Sequence, residues 1–217
     1  MILRILLLAL IVLAASMPIP DAFDESHNVD VTVITQQRAD ELFAEFKSHT
    51  EIPFGFPIDG CYARATAMAR IAEAEKIEMG KVWATGILRV KSKDPTFPEI
   101  EWGYHVAPVL YVKAPTGEAK LMVFDPSLFD KPVTVDEWTD KMKAEGIPKA
   151  QVKKVYYGAR FQYGPLKSED KKYNWHTEDL KDAKEVMEQY SGYLKIINMR
   201  RLGSGKATNS QTQKGVN

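Results

Sequence analysis

Three residues spread along the middle of this chain have side chains that together could run cysteine-hydrolase chemistry: Cys61, His105 and Asp125. Cys61 is the sole cysteine and stands in the stretch DGCYARA, Asp59 to Ala65, at what reads as the first turn of a helix. Without a disulfide partner it is either an inert packing residue or a thiol kept for reaction. The thiolate is the nucleophile, so a reactive cysteine needs its pKa brought down from about 8.5. A helix N-terminus favours negative charge through its unsatisfied N–H groups and macrodipole. A neighbouring histidine does the same by forming an ion pair. Those N–H groups can also form part of an oxyanion hole.

Of the four histidines, His27 falls in a polar linker, His49 at the end of a polar helix and His176 in a loop ahead of a helix cap. His105 sits among apolar neighbours in a strand, where an unpaired imidazole is costly. A hairpin turn near Thr116 brings residues around 105 opposite residues around 125 or 126. If the register sum is even, His105 and Asp125 share a face and become cross-strand neighbours. A slip by one residue would put them on opposite faces. An aspartate in that place would orient the imidazole and fix its tautomer. Plainer readings stand beside these: a packed thiol, a satisfied core histidine, and a turn signal in Asp125-Pro126-Ser127.

The elements that must position these residues follow from pattern. Val29 to Ile34 alternate as a strand, and Thr35 caps a helix over 36–48 with Ala39, Leu42, Phe43 and Phe46 on one face. The Pro- and Gly-rich TEIPFGFPIDG, 50–60, is a loop that delivers Cys61. A helix runs from Cys61 to about Ile77, with Gly80 as its terminator. Strands are expected over 81–91, 102–113 and 119–125 as an antiparallel meander, with Pro108 implying an edge or a bulge. Thr134 and Glu137 form a capping box for a short helix to about Ala144. A strand over 151–157, a loop over 160–176, a helix capped by Thr177 and a last strand over 193–199 complete the domain. The helix capped by Thr177 carries Leu180, Ala183, Met187 and Tyr190 on one face. Arg64 and Arg70 read as surface residues of the helix that begins at Cys61.

Lys plus Arg and Asp plus Glu are both 29, and there is no concentrated basic face for nucleic acid nor a charge run for a membrane patch. Residues 1–16 have the layout of a secretory signal: Arg4, an apolar run from Ile5 to Ala15, and Ala14-Ala15-Ser16 for cleavage. The run falls short of the roughly 20 apolar residues that span a bilayer, and an uncleaved anchor is the alternative. Residues 17–28 read as a linker, 29–202 as one catalytic domain, and 203–217 as a disordered tail. The protein is expected to be secreted or periplasmic, with Cys61 a free thiol in an oxidising space.

The segments FGFPIDGCYARA (Phe54 to Ala65), WGYHVAPVLYV (Trp102 to Val112) and VFDPSLFDKPV (Val123 to Val133) resemble the three site segments of the bacterial protein-glutaminases. The resemblance covers about residues 35–135. It implies an α+β fold of the papain/transglutaminase-like kind, in which an N-terminal cysteine-bearing helix packs on an antiparallel sheet carrying His and Asp. It implies hydrolysis of the side-chain amide of protein- or peptide-bound glutamine, giving glutamate and ammonia through a cysteine thioester. Cys61 would be nucleophile, His105 general base and acid, and Asp125 the residue orienting His105. No metal or organic cofactor is implied. The partners would be protein or peptide substrates with exposed glutamine, met by a monomer. Tyr62, Trp102 and Tyr104 are candidates to wall the substrate slot, with Phe54 and Phe56 nearby. The chain departs from the best-known members in lacking cysteines for disulfides, and in having only residues 17–49 between the leader and the Pro/Gly loop where they carry a long pro-segment. A transglutaminase, a papain-like peptidase and a non-catalytic exported binding domain remain as alternatives.

Overall fold

The long strand β4, Glu99–Lys113, holds the sheet together. On one side it pairs antiparallel with β3, Gly80–Lys91, from Val109 down to Glu99. On the other it pairs with β5, Ala119–Val123, through a hairpin whose turn runs from Ala114 to Glu118. β2, Asp30–Thr35, runs parallel to the end of β4, so the sheet is mixed rather than purely antiparallel. A parallel neighbour needs a long connection, and here two helices and β3 lie between. β1, Ser16–Pro18, adds antiparallel to β2, β6, Val133–Thr134, to β5, and β7, Gln151–Ala159, to the far side of β3. This is a computed structural model, and it describes residues 15–18, 30–56, 58–92, 96–143, 150–165 and 174–211. Most of the expected leader and linker, with His27, and the end of the tail lie outside those residues. Ser16–Pro18, at the junction of leader and linker, is a strand.

Helix α1, Gln36–Ser48, starts where Thr35 accepts a hydrogen bond from the Arg38 N–H. Its buried stripe is Ala39, Leu42, Phe43 and Phe46, the set given by the 3.6-residue period. Phe43 and Phe46 each lie 6.2 Å, ring centroid to centroid, from the fully buried Phe124. Truncating an aromatic in such a cluster costs about 3–5 kcal/mol. The cluster therefore anchors the residue immediately before Asp125.

Helix α2, Cys61–Ala74, is shorter than the pattern suggests. It is closed off by Glu75 as the C-cap and by Lys76, which takes the left-handed conformation (φ 63°), while Lys76 N donates to Glu73 O and Ile77 N to Ala72 O. Gly80, expected as the terminator, instead opens β3. The real stop is a lysine because burial of Ile77 just after it fixes the chain reversal.

Pro108 sits inside β4 without breaking it. A strand residue's nitrogen and carbonyl point the same way, and the Pro108 carbonyl accepts from Phe124 N at 2.9 Å. Its missing N–H therefore faces the flank of β4 where the β5 ladder has already ended. In β3 the ladder shifts register around Gly86 (φ 149°), where an added Cβ would lie 2.1 Å from the Gln151 carbonyl. Only glycine fits that bulge.

Helix α3, Val135–Lys141, has the capping box of Thr134 and Glu137 and buries Trp138. The last element departs most from expectation. Helix α4, Thr177–Gln211, is continuous through the stretch read as a strand and into the stretch read as a tail. The paired isoleucines at 196–197 suggest a strand, yet Tyr193, Ile196 and Met199 recur every three residues, a helical spacing. Its N-terminal carbonyl is that of His176, which accepts from Leu180 N, so Thr177 is the first helical residue and not the cap.

Candidate active site

Cys61 is 7% exposed and opens α2. Gly60 is the N-cap, left-handed at φ 84°, and no side chain caps the helix. The first-turn N–H groups are thus spared side-chain capping at the place where the sulfur sits. The loop before Cys61 is held from within by Arg64, whose guanidinium donates to the Phe56 carbonyl at 3.0 Å and the Asp59 carbonyl at 2.8 Å. Arg64 is 3% exposed, so its reading as a surface residue is overturned; Arg70 is exposed, as expected. The helical turn points Arg64 back toward the loop rather than outward. Burial depresses its pKa, while the charges of Cys61, Asp125 and Asp59 oppose that shift.

The hairpin register pairs Val109 with Val123, so the register sum is even. Extended past the end of β5, it leaves His105 and Asp125 on one face and diagonal to each other. Asp125 lies just beyond the strand, not within it. His105 Nε2 and Asp125 Oδ2 are 2.7 Å apart, both side chains essentially enclosed. The carboxylate also accepts from the Trp138 indole N–H at 2.9 Å and, through Oδ1, from Ser127 N at 3.1 Å. Its backbone carbonyl accepts from Leu128 N and Phe129 N. Burial pushes the Asp125 pKa up, but the His105 charge and hydrogen bond, the indole and Arg64 together hold it below the ordinary value.

The imidazole is stacked between two indoles, Trp102 at 4.7 Å and 10° and Trp138 at 5.5 Å and 25°. Burial disfavours its charged form, yet the Asp125 charge and hydrogen bond, followed by Cys61, raise its pKa from 6.5 to about 9. With Nε2 taken by Asp125, Nδ1 is the ring nitrogen left for the sulfur; it is buried and closes no hydrogen bond among the described residues. His49 pairs with Glu51 at 2.6 Å, and His176 begins α4. His105 is the histidine whose surroundings include both Cys61 and Asp125.

Trp102 bridges two parts of the site, since its indole N–H donates to the Ile58 carbonyl at 3.0 Å while its ring covers His105. Tyr62 and Tyr104 pack against the small buried cluster of Cys61, Ala65, Trp83, Val106 and Tyr156. Burial first, then the charges of Asp59, Asp182 and Cys61, push the Tyr62 pKa up to about 12. Burial and Cys61 raise that of Tyr104 as well. Phe56 is buried and Phe54 half-buried. Trp138 was not legible as a site residue: its only sequence signal is the capping box that starts its helix.

A second enclosed base lies behind Cys61. Lys81, fully buried on β3, donates to Thr66 Oγ1 at 2.9 Å and the Gln162 carbonyl at 2.7 Å. Its desolvation outweighs the attraction of Asp179 and Cys61 and lowers its pKa from 10.5 to about 7.

Fold and site define an α+β protein with a cysteine at a helix start beside an enclosed histidine–aspartate pair. Comparison with known proteins narrows the class. A family model described as glutaminase matches residues 39–142. A crystal structure of protein-glutaminase superposes with a TM-score of 0.62 at 26% identity, covering 73% of this chain and 88% of that one. The NMR structure of protein-glutaminase from Chryseobacterium proteolyticum gives the same score and identity over 73% and 89% of the two chains. A crystal structure of pro-protein-glutaminase likewise gives 0.62 and 26%, covering 76% of this chain and 60% of that one. No curated protein sequence matches the chain. Residues 39–142 thus carry the glutaminase family pattern, and the chain is similar in structure to protein-glutaminases.

Proposed function

We propose that this protein hydrolyses the side-chain amide of glutamine held in proteins or peptides, producing glutamate and ammonia. The observation that carries this reading is the enclosed His105–Asp125 pair, 2.7 Å apart and acting on a cysteine at the start of α2, in a chain that carries this family pattern. In the proposed reaction the imidazolium of His105, kept charged by Asp125, stabilises a thiolate at Cys61. The sulfur attacks the amide carbon, and the oxyanion is held by first-turn N–H groups of α2, that of Cys61 among them. His105 passes a proton to the departing nitrogen, and ammonia leaves behind a thioester. A water then gives a proton to His105 and attacks the thioester carbon, and collapse of the second oxyanion frees glutamate and restores the thiolate. These side chains need no metal or organic cofactor for any step.

The same reading takes the fold to be papain/transglutaminase-like, supported by the cysteine-first helix packed on β4 and the histidine within that strand. Tyr62 and Tyr104, half-enclosed beside Cys61, wall the slot for the glutamine side chain. Trp102 serves chiefly to hold the imidazole. Residues 1–16 direct export and the enzyme acts as a monomer on protein substrates. Among the described residues no helix is long and apolar enough to cross a membrane.

The deciding assay is incubation with a glutamine-containing peptide, following ammonia release and the mass gain of an amide-to-acid exchange. Both are expected from the wild type. Incorporation of an added amine without ammonia-forming hydrolysis would mark a transglutaminase, and peptide cleavage a peptidase. A thiol that ignores alkylating reagents at neutral pH would point to a binding domain.

A further inference from the structure

α4 reaches across the molecule to the loop that delivers the nucleophile. The Tyr190 hydroxyl donates to Asp59 Oδ2 at 2.7 Å, and Asp59 Oδ1 accepts from the Gly60 N–H at 2.6 Å. The Tyr190 ring stacks on Phe56, centroids 4.4 Å apart at 23°. It also lies against Gly60 so closely that a Cβ there would approach it to 2.8 Å. Phe56 and Asp59 are the same two residues whose carbonyls Arg64 holds from the inner side. The loop is thus gripped on both sides, by a guanidinium within and a tyrosine without.

We infer that Tyr190 is a positioning residue for Cys61: through Asp59 it fixes the left-handed Gly60 turn that sets where the sulfur and the first N–H groups of α2 lie. Glycine is the least restrained residue, so a Gly60 freed of its outer contact explores other backbone states. Cys61 is the next residue along, and a displacement of about 1 Å at a reacting atom costs roughly 100-fold in rate. Tyr190 lies 131 residues from Asp59 in sequence, in a part of the chain outside the matched family segment. The cysteine end of the site is therefore completed by the C-terminal helix.

The inference rests on Cys61 as the reactive nucleophile, so the test reads the thiol directly as well as turnover. Full-length wild type, Tyr190→Phe, Tyr190→Ala, Asp59→Ala and the Tyr190→Phe/Asp59→Ala double variant are compared for iodoacetamide alkylation of Cys61 and for kcat and KM. Tyr190→Phe keeps the stacking on Phe56 and loses only the hydroxyl. It is expected to lower kcat and the alkylation rate about 10-fold with KM little changed, and Tyr190→Ala about 100-fold. In the Asp59→Ala background the Phe substitution should have no further effect, because the two act as one unit. Tyr193→Phe, one turn along α4 with no bond to Asp59, is the control and should leave both readouts unchanged. Wild-type kcat and alkylation in Tyr190→Phe, or additive losses in the double variant, would overturn the inference. So would an equal loss in Tyr193→Phe, or a wild-type thiol that does not alkylate. A wild type that alkylates but releases no ammonia fails the amidase reading instead, and the alkylation series still decides the role of Tyr190.

Discussion

His105 and Lys81 are both enclosed side chains on neighbouring strands, and both feel the charge of Cys61, yet their proton affinities move in opposite directions. Burial opposes charge on each. His105 has a carboxylate at direct hydrogen-bond distance, itself held ionised by an indole and an arginine, and its pKa rises to about 9. Lys81 has two neutral acceptors, a threonine hydroxyl and a main-chain carbonyl, and the fields of Asp179 and Cys61 do not offset its burial; its pKa falls to about 7. Burial alone does not choose the ionisation state of an enclosed base. A bonded carboxylate does. The two nests also differ in origin. His105 draws its partners from the family-matched segment, whereas Lys81 ties β3 to Gln162 and the start of α4.

The largest effect is expected where the His105 nest meets Cys61, the proposed nucleophile. Cys61→Ala should lower kcat by at least about 10^4-fold, read by ammonia release. Residual turnover near wild type would remove Cys61 from the mechanism and leave the comparison without a catalytic meaning.

Asp125→Asn should make His105 resemble Lys81. With the carboxylate gone, burial is opposed by Cys61 alone, and kcat should fall by about 10^3–10^4-fold. The alkaline limb of kcat/KM, expected in the wild type near pH 9 from loss of the imidazolium proton, should move to lower pH. An unmoved limb in that variant would show that Asp125 is not what holds the proton on His105.

Trp138→Phe probes the next shell of the same nest. It keeps an aromatic ring over the imidazole and removes the indole donor to Asp125. Asp125 should then be less firmly ionised, with kcat down about 10-fold and the alkaline limb slightly lower. A loss of activity matched wholly by loss of folded protein at the assay temperature would reduce Trp138 to a packing residue.

The smallest effect concerns stability, and its sign separates the two bases. The His105 contribution is fully present below its unfolded pKa of 6.5 and is lost as pH rises through about 9. Lys81 behaves inversely: its burial penalty is full below about pH 7 and is relieved as pH rises toward 10.5. Between about pH 7 and 9 the two slopes oppose each other. Lys81→Met should unmask the His105 slope, so that urea-unfolding stability falls over that window by up to about 1.4 kcal/mol per pH unit relative to wild type. Parallel stability–pH curves for the two proteins would contradict the opposed titrations. Asp125, held below its ordinary pKa of 3.8, adds stability that is lost as pH falls through the acid range.

Much of the middle of the chain was legible because its signals are local. The stripe Ala39, Leu42, Phe43, Phe46 is the buried face of α1, and the capping box at Thr134 and Glu137 is present in α3. The turn residues around Thr116 set a hairpin whose even register puts His105 and Asp125 on one face. The C-terminal third was not legible in the same way. In α4 the paired isoleucines and the polar run after 203 argued against helix by propensity, and the helix runs through the first and on to Gln211. α4 packs on α2, a tertiary contact that propensity does not see.

By itself the sequence determined the lone thiol in DGCYARA and the spacing of His105 and Asp125 about a hairpin. These follow from composition, period and turn chemistry, which act over a few residues. Only the tertiary structure decided that Arg64 is enclosed and grips the loop before Cys61, that two indoles sandwich His105, that Lys81 is a buried base, and that Tyr190 closes on Asp59. Each of those depends on burial or on contacts between distant segments. Long side chains such as Arg, Lys, Trp and Tyr carry both an apolar stem or ring and a polar tip, so sequence alone leaves their place open until packing fixes it.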